Sequence, residues 1–194
     1  GLGAISACGN NAEESLESFA LGRRNAGKVT LFKTELPYSV FEVKNFLGKD
    51  TAAMRTLNLA FQALEEAIRD ANLEDLSEYR VGICLGTTVA SQLNDMDFYK
   101  SYREKGSAPL DAAKRFLNSN LAQAVAGFLK IKTKFCFTVV NACSSGTDAI
   151  GVGLSWLRND YCDIVIAGGA DELNRVPFDG FVSLGVVSRS LCLP

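Results

Sequence analysis

The sequence contains no histidine. It therefore lacks the side chain that most often shuttles protons near neutral pH, and a hydrolytic Cys–His pair cannot be assembled from these residues. It also has no CxxC pair. Its six cysteines, Cys8, Cys84, Cys136, Cys143, Cys162 and Cys192, are widely spread, so no metal site is expected. No apolar run reaches eighteen residues, so no membrane-spanning helix is expected. No basic stretch followed by an apolar one opens the chain, so no secretory signal is visible, although the chain starts at Gly1 rather than Met. A basic excess is absent too. Lys plus Arg number 20 against 22 Asp plus Glu, a net charge of −2, and this argues against a nucleic-acid partner.

What is present is ordinary for a globular protein: 194 residues, 47% apolar and 22% charged. That length fits one domain or two small ones and can bury a substantial core. Cys84, Cys136 and Cys162 sit within or beside apolar runs, where a thiol behaves as a small hydrophobe. Reduced thiols and a cytoplasmic location are expected.

Strand-like runs alternate with helical stretches. Residues 1–8 read as the tail of a strand entering a Gly-rich turn. Asn11 can cap a helix over 12–21, with Glu13 and Glu14 in its first turn and Gly22 as its stop. Residues 23–50 read as irregular. Thr51 opens the clearest helix, over 52–71, where Met54, Leu57, Phe61, Leu64 and Ile68 share one face. Further strands are expected at 80–88, 135–140 and 163–168. Helices are expected at 91–104, 119–129, 143–158 and about 175–185. The strands are continuously apolar and separated by helices. This pattern predicts an α/β fold with a mainly parallel sheet covered on both faces.

The informative stretch is FCFTVVNACSSGTDAIGVGLSWL, residues 135–157. Its β-branched and aromatic run stops at Asn141, and a helix of small residues starts at about Cys143. A cysteine at such a strand-to-helix turn meets unpaired backbone N–H groups and the positive end of the helix dipole. Both favour the nucleophilic thiolate. Three glycines, Gly146, Gly151 and Gly153, lie in that helix, each costing about 1 kcal/mol relative to alanine. Close approach of another backbone would account for them. The residues alone leave Cys143 open between a core position and a nucleophile.

VNACSSGTDAIGVG resembles the active-site segment of the β-ketoacyl synthases, elongating condensing enzymes of the thiolase-like superfamily. In register with it, DIVIAGGADE resembles the family's next strand and its Ala-Gly-Gly-Ala turn, and FDGFVSLGVVSRS the segment after that. Upstream, GLGAIS, VGICLGTT and SNLAQAVAGFLKI resemble the opening, a Gly-rich strand and the helix before the nucleophile strand. The resemblance implies the N-terminal half of a thiolase-like fold, with a mixed, mostly parallel sheet. It implies decarboxylative Claisen condensation of an acyl thioester with malonyl-acyl carrier protein, in fatty-acid or polyketide synthesis. Cys143 then takes the acyl group, and its backbone N–H serves as an oxyanion donor. The implied partners are an acyl carrier protein, acyl and malonyl thioesters and a second copy in a homodimer, with no cofactor.

The family's two catalytic histidines lie in C-terminal contexts that this chain lacks. The expectation is a single N-terminal ketosynthase domain over 1–194, truncated at both ends and inactive by itself. A non-catalytic subunit that binds acyl carrier proteins is the alternative. A cysteine hydrolase would need a histidine base and a G-x-C-x-G spacing, and neither is present.

Other features have plainer readings. Lys130, Lys132 and Lys134 could meet an acidic carrier protein, but a solvated turn also suits them, as it does Arg23 and Arg24. Asp171 and Glu172 read as a structural turn paired with Arg175, Asp148 as a polar contact within the fold, and Trp156 as core.

Overall fold

The structure is a computed structural model that describes residues 1–44, 46, 54–89, 93–108, 111 and 120–190. The chain divides into two compact units. One comprises Gly1–Asp50, Gln62–Asn72 and Leu173–Pro194; the other comprises Thr51–Phe61 and Leu73–Glu172.

The first unit is built on helices. Helix α1 (Ala12–Ala20) starts where the Asn11 side chain accepts from the Glu14 N–H at 2.7 Å. It ends as expected at Gly22, whose φ of +62° and the Arg23 N–H to Ser18 carbonyl bond close a left-handed cap. Residues 1–8 do not form a strand beyond an isolated bridge between Ser6 and Gly9. Carboxylates take the N–H groups a neighbouring strand would have paired: Leu2 donates to Asp70 and Ala4 to Glu66. Asp70 closes helix α2 (Arg55–Asp70), and Glu66 lies within it. Residues 23–44 are irregular, as expected, tied by a bridge between Gly27 and Val40 and by buried Glu42, which accepts from the Thr30 N–H.

Helix α2 is shorter than its hydrophobic pattern. Leu57 and Leu64 are buried, but Met54 precedes the helix in a left-handed conformation (φ +68°). The start expected at Thr51 lies outside the described residues.

The second unit holds the sheet. Its strands are β1 (Val81–Gly86), β2 (Cys136–Val139) and β3 (Ile164–Gly169), in the order β2-β1-β3. Both pairings are parallel. Strand β1 is central and buried along its whole length, as a continuously apolar strand should be. Helices α3 (Leu93–Lys105) and α4 (Leu121–Phe128) lie in the crossover from β1 to β2, and α5 (Ser145–Arg158) in that from β2 to β3. Helix α6 (Arg175–Ser183), in the first unit, is the last described element. The Ala122 N–H donates to the Thr138 hydroxyl and pins the start of α4 to β2.

Helix α5 lies against β1 and β3 on the face to which Gly82 and Gly86 point. Trp156 fills the far end of that interface. Its ring is 5.5 Å from Phe135, which stacks on Tyr161 at 5.3 Å. At the same end, Arg80 bonds the side chains of Asp163 and Asp160 at 2.6 Å each.

Candidate active site

Chain geometry changes abruptly after β2. Asn141 has φ −135° and ψ 52°, and Ala142 is left-handed at φ +49°. A 3₁₀ turn over Ala142–Ser144 follows, and α5 proper begins at Ser145. Cys143 therefore sits in the turn between strand and helix, two residues before the α-helix that its sequence context predicts to start there. Its thiol is the one exposed cysteine among the described residues. Burial raises the thiol pKa of Cys84, Cys136 and Cys162, with Cys136 adding to the effect on Cys84. Cys84 and Cys162 are buried in the core as small hydrophobes, and Cys136 is half-buried.

The turn is fixed by hydroxyl and carboxylate groups. Ser145 Oγ accepts from the Asn141 N–H at 2.8 Å and donates to the Ala142 carbonyl at 2.7 Å. Asp148 accepts from Asn141 Nδ2 at 2.7 Å and from Ser144 Oγ at 2.9 Å. These bonds hold its carboxyl pKa below the usual value, Asn141 contributing most. Asp148 is thus the polar contact that its position one turn into the helix predicts. A left-handed alanine costs of the order of 1–3 kcal/mol and persists only where its surroundings over-determine it. This network supplies that constraint.

Packing adds a steric one. A Cβ on Gly86 would lie 2.2 Å from the carbonyl carbon and oxygen of Ser145, so the end of β1 accepts only glycine beneath the first turn of α5. At Gly153 the close neighbour is a side chain rather than the expected backbone: a Cβ would meet Val165 Cγ1 at 2.8 Å. No close approach exists at Gly151, which has no described neighbour within 4 Å.

Gly168 and Gly169 end β3 rather than forming a turn, and the residues that follow them reach the exit of β1. Asp171 Oδ1 accepts from the N–H groups of Thr88 and Val89 at 2.7 and 2.9 Å, and from Thr87 Oγ1 at 2.8 Å. Thr88 Oγ1 in turn donates to the Ala142 carbonyl at 2.7 Å. Thr88 was not among the residues marked out by the sequence, because 54 positions separate it from Ala142. Glu172 is buried and accepts from the Thr56 N–H at 3.0 Å. The expected pairing with Arg175 is corrected: Arg175 binds Asp179, one turn along α6, at 3.0 Å. Lys130, Lys132 and Lys134 are exposed, and Lys130 closes α4 as its left-handed cap (φ +55°). Among the described residues no cluster could hold a metal ion, and no helix is long and apolar enough to cross a membrane.

A family model described as "Beta-ketoacyl synthase, N-terminal domain" matches residues 2–193. The chain belongs to the β-ketoacyl synthase family. A 3-oxoacyl-[acyl-carrier-protein] synthase 2 of Staphylococcus aureus is 28% identical over 206 residues, covering 98% of this chain and 49% of that protein. The structure of the ishigamide ketosynthase/chain length factor superposes with a TM-score of 0.89 at 27% identity, over 98% of this chain and 51% of that one. A ketosynthase in complex with its chain length factor, from Xenorhabdus doucetiae, superposes with a TM-score of 0.78 at 24% identity, over 100% of this chain and 51% of that one. This ketosynthase-family chain thus spans about half the length of the relatives it matches, and its α/β fold is thiolase-like.

Proposed function

We propose that the protein of which this chain is a part is a 3-oxoacyl-[acyl-carrier-protein] synthase and that Cys143 is its acyl acceptor. The observation that carries this reading is an exposed thiol on a constrained strand-to-helix turn, in a chain that matches the ketosynthase N-terminal domain throughout.

The Cys143 sulfur attacks the carbonyl carbon of an acyl carrier thioester. A new S–C bond forms, the carrier's S–C bond breaks, and the carrier thiolate leaves to take up a proton. A malonyl thioester then loses CO₂, and the electron pair left on its α-carbon attacks the acyl-enzyme carbonyl and expels Cys143 as thiolate. The backbone N–H of Cys143 is proposed as one donor to the oxyanion formed in these steps. Residues of the second half-length of the protein are proposed to stabilise the carbanion, so the 194 residues alone take an acyl group slowly and do not condense it.

The proposed partners are an acyl carrier protein, in keeping with the name of the Staphylococcus relative, and a second ketosynthase-type subunit. A homodimer is the simplest form of the latter. The three exposed lysines of the turn after α4 are candidates for the carrier contact. A cytoplasmic site of action is part of the same proposal, as is a single ketosynthase domain over 1–194.

The test is incubation of the full-length protein with an acyl-carrier thioester, followed by mass spectrometry. An acyl adduct on Cys143 that disappears in Cys143→Ala is expected, with malonyl-dependent extension to follow. A folded full-length protein that takes no adduct would instead support the non-catalytic, carrier-binding subunit.

A further inference from the structure

The turn that carries Cys143 is held from two directions, and the two are not equivalent. The Ala142 carbonyl accepts one hydroxyl bond from Ser145, three residues along the chain, and one from Thr88, at 2.7 Å each. The first belongs to the turn itself and forms wherever the turn forms. The second joins the turn to the exit of β1. A carbonyl oxygen has two lone pairs, and here both are engaged.

Thr88 is in turn held by a carboxylate. Asp171 Oδ1 accepts from the Thr88 N–H at 2.7 Å, the Val89 N–H at 2.9 Å and the Thr87 hydroxyl at 2.8 Å. One oxygen thus gathers the three residues after Gly86. Charged acceptors make the stronger bonds. The order of connection is Asp171 to the β1 exit, the Thr88 hydroxyl to the Ala142 carbonyl, and the left-handed Ala142 to Cys143.

We propose that Thr88, braced by Asp171, is a positioning residue that aims the Cys143 thiol by fixing the carbonyl of Ala142. The proposal deepens the reading of Cys143 as the acyl acceptor and rests on it. Neither Thr88 nor Asp171 needs to touch the substrate. Exposure separates positioning from a purely structural role. Thr88 is exposed in the 194-residue chain, where water can replace the lost bond when its hydroxyl is removed, and the Ala142 carbonyl keeps its bond from Ser145. Stability should change little. The direction of a thiol on a left-handed residue's neighbour should change more, and acyl transfer is sensitive to misplacement of this kind.

The experiment compares the full-length wild type with Thr88→Val, which keeps the shape without the hydroxyl, and with Thr88→Ser, which keeps the hydroxyl. Two rates are read at Cys143 by mass spectrometry: acylation from an acyl-carrier thioester, and alkylation by iodoacetamide, which needs no carrier. Thr88→Val is expected to slow acylation by about tenfold to a hundredfold. The effect should fall on the maximal rate, with the half-saturating thioester concentration within about twofold. Alkylation should change as well, Thr88→Ser should restore both rates, and the thermal melt followed by circular dichroism should stay in place. Wild-type rates in Thr88→Val overturn the proposal. So does failure of Thr88→Ser to restore them, or loss of the fold in Thr88→Val, since Thr88 then serves the fold rather than the thiol. A wild type that takes no acyl group sinks the acyl-acceptor reading instead. The alkylation rates still decide whether Thr88 sets the exposure of the thiol.

Discussion

Asp163 shows what a single side chain contributes at the surface. It accepts from both the Arg80 side chain and the Arg80 N–H, and these bonds hold its carboxyl at about 2, below the ordinary 3.8. A depressed carboxyl stabilises the fold above its unfolded value and loses that contribution as the pH falls through the folded one. The melting temperatures of wild type and Arg80→Ala are therefore expected to differ by a constant amount above about pH 5 and to converge as the pH falls from about 4 to 2. A difference unchanged across that range would show that Arg80 acts through packing. At this scale the sequence was only partly legible. Cys143 stood out through its place between a β-branched run and a small-residue helix. The left-handed Ala142 did not, since alanine carries no signal for a positive φ. Nor did Thr88, whose bond to Asp171 spans 83 residues. Arg175 was expected to pair with a carboxylate outside its helix, and it binds the i,i+4 carboxylate of Asp179 within it.

Helix α5 raises the question of why one element carries so many glycines. Gly153 and Gly151 answer it differently. At Gly153 a methyl would press on Val165, a stiff β-branched neighbour, at 2.8 Å and on Ala167 at 3.3 Å. Overpacking of this kind costs about 1–3 kcal/mol, against a gain of about 1 kcal/mol in helix propensity. At Gly151 only the gain remains. In the 194-residue chain, Gly153→Ala is expected to destabilise by about 1 kcal/mol and Gly151→Ala to stabilise by about 1 kcal/mol, read by denaturant titration. Equal effects would show that packing on β3 does not discriminate the two positions. The helices and the three strands followed from periodicity and from buried runs, with ends displaced by a few residues. Residues 1–8 misled because an apolar, glycine-bearing segment looks the same whether a strand or a pair of carboxylates takes its N–H groups.

At the scale of the whole molecule, apolar surface is exposed among the described residues of α5, the helix that follows Cys143. Ile150, Leu154 and Leu157 recur at helical spacing and are exposed by 55%, 45% and 41%. Phe137 on β2 and the adjoining Val140 are exposed as well. Patches of this kind bind partners or drive association. The 194 residues by themselves are expected to self-associate and to bind an apolar dye, and Leu154→Glu to reduce both, as read by light scattering and dye fluorescence. A monodisperse chain that ignores the dye would contradict that reading. The expectation of further residues packing here came only from the family's motifs, because composition alone describes an ordinary globular protein.

The one tryptophan of the chain lies at the end of α5 away from Cys143, packed against Phe135. Its emission colour in this chain therefore comes entirely from the unit that carries Cys143. Excited at the red edge of aromatic absorption, the 194-residue chain reports optically on that unit while its other residues stay silent. No label is needed to learn whether the ground beneath Cys143 is intact before its chemistry is judged.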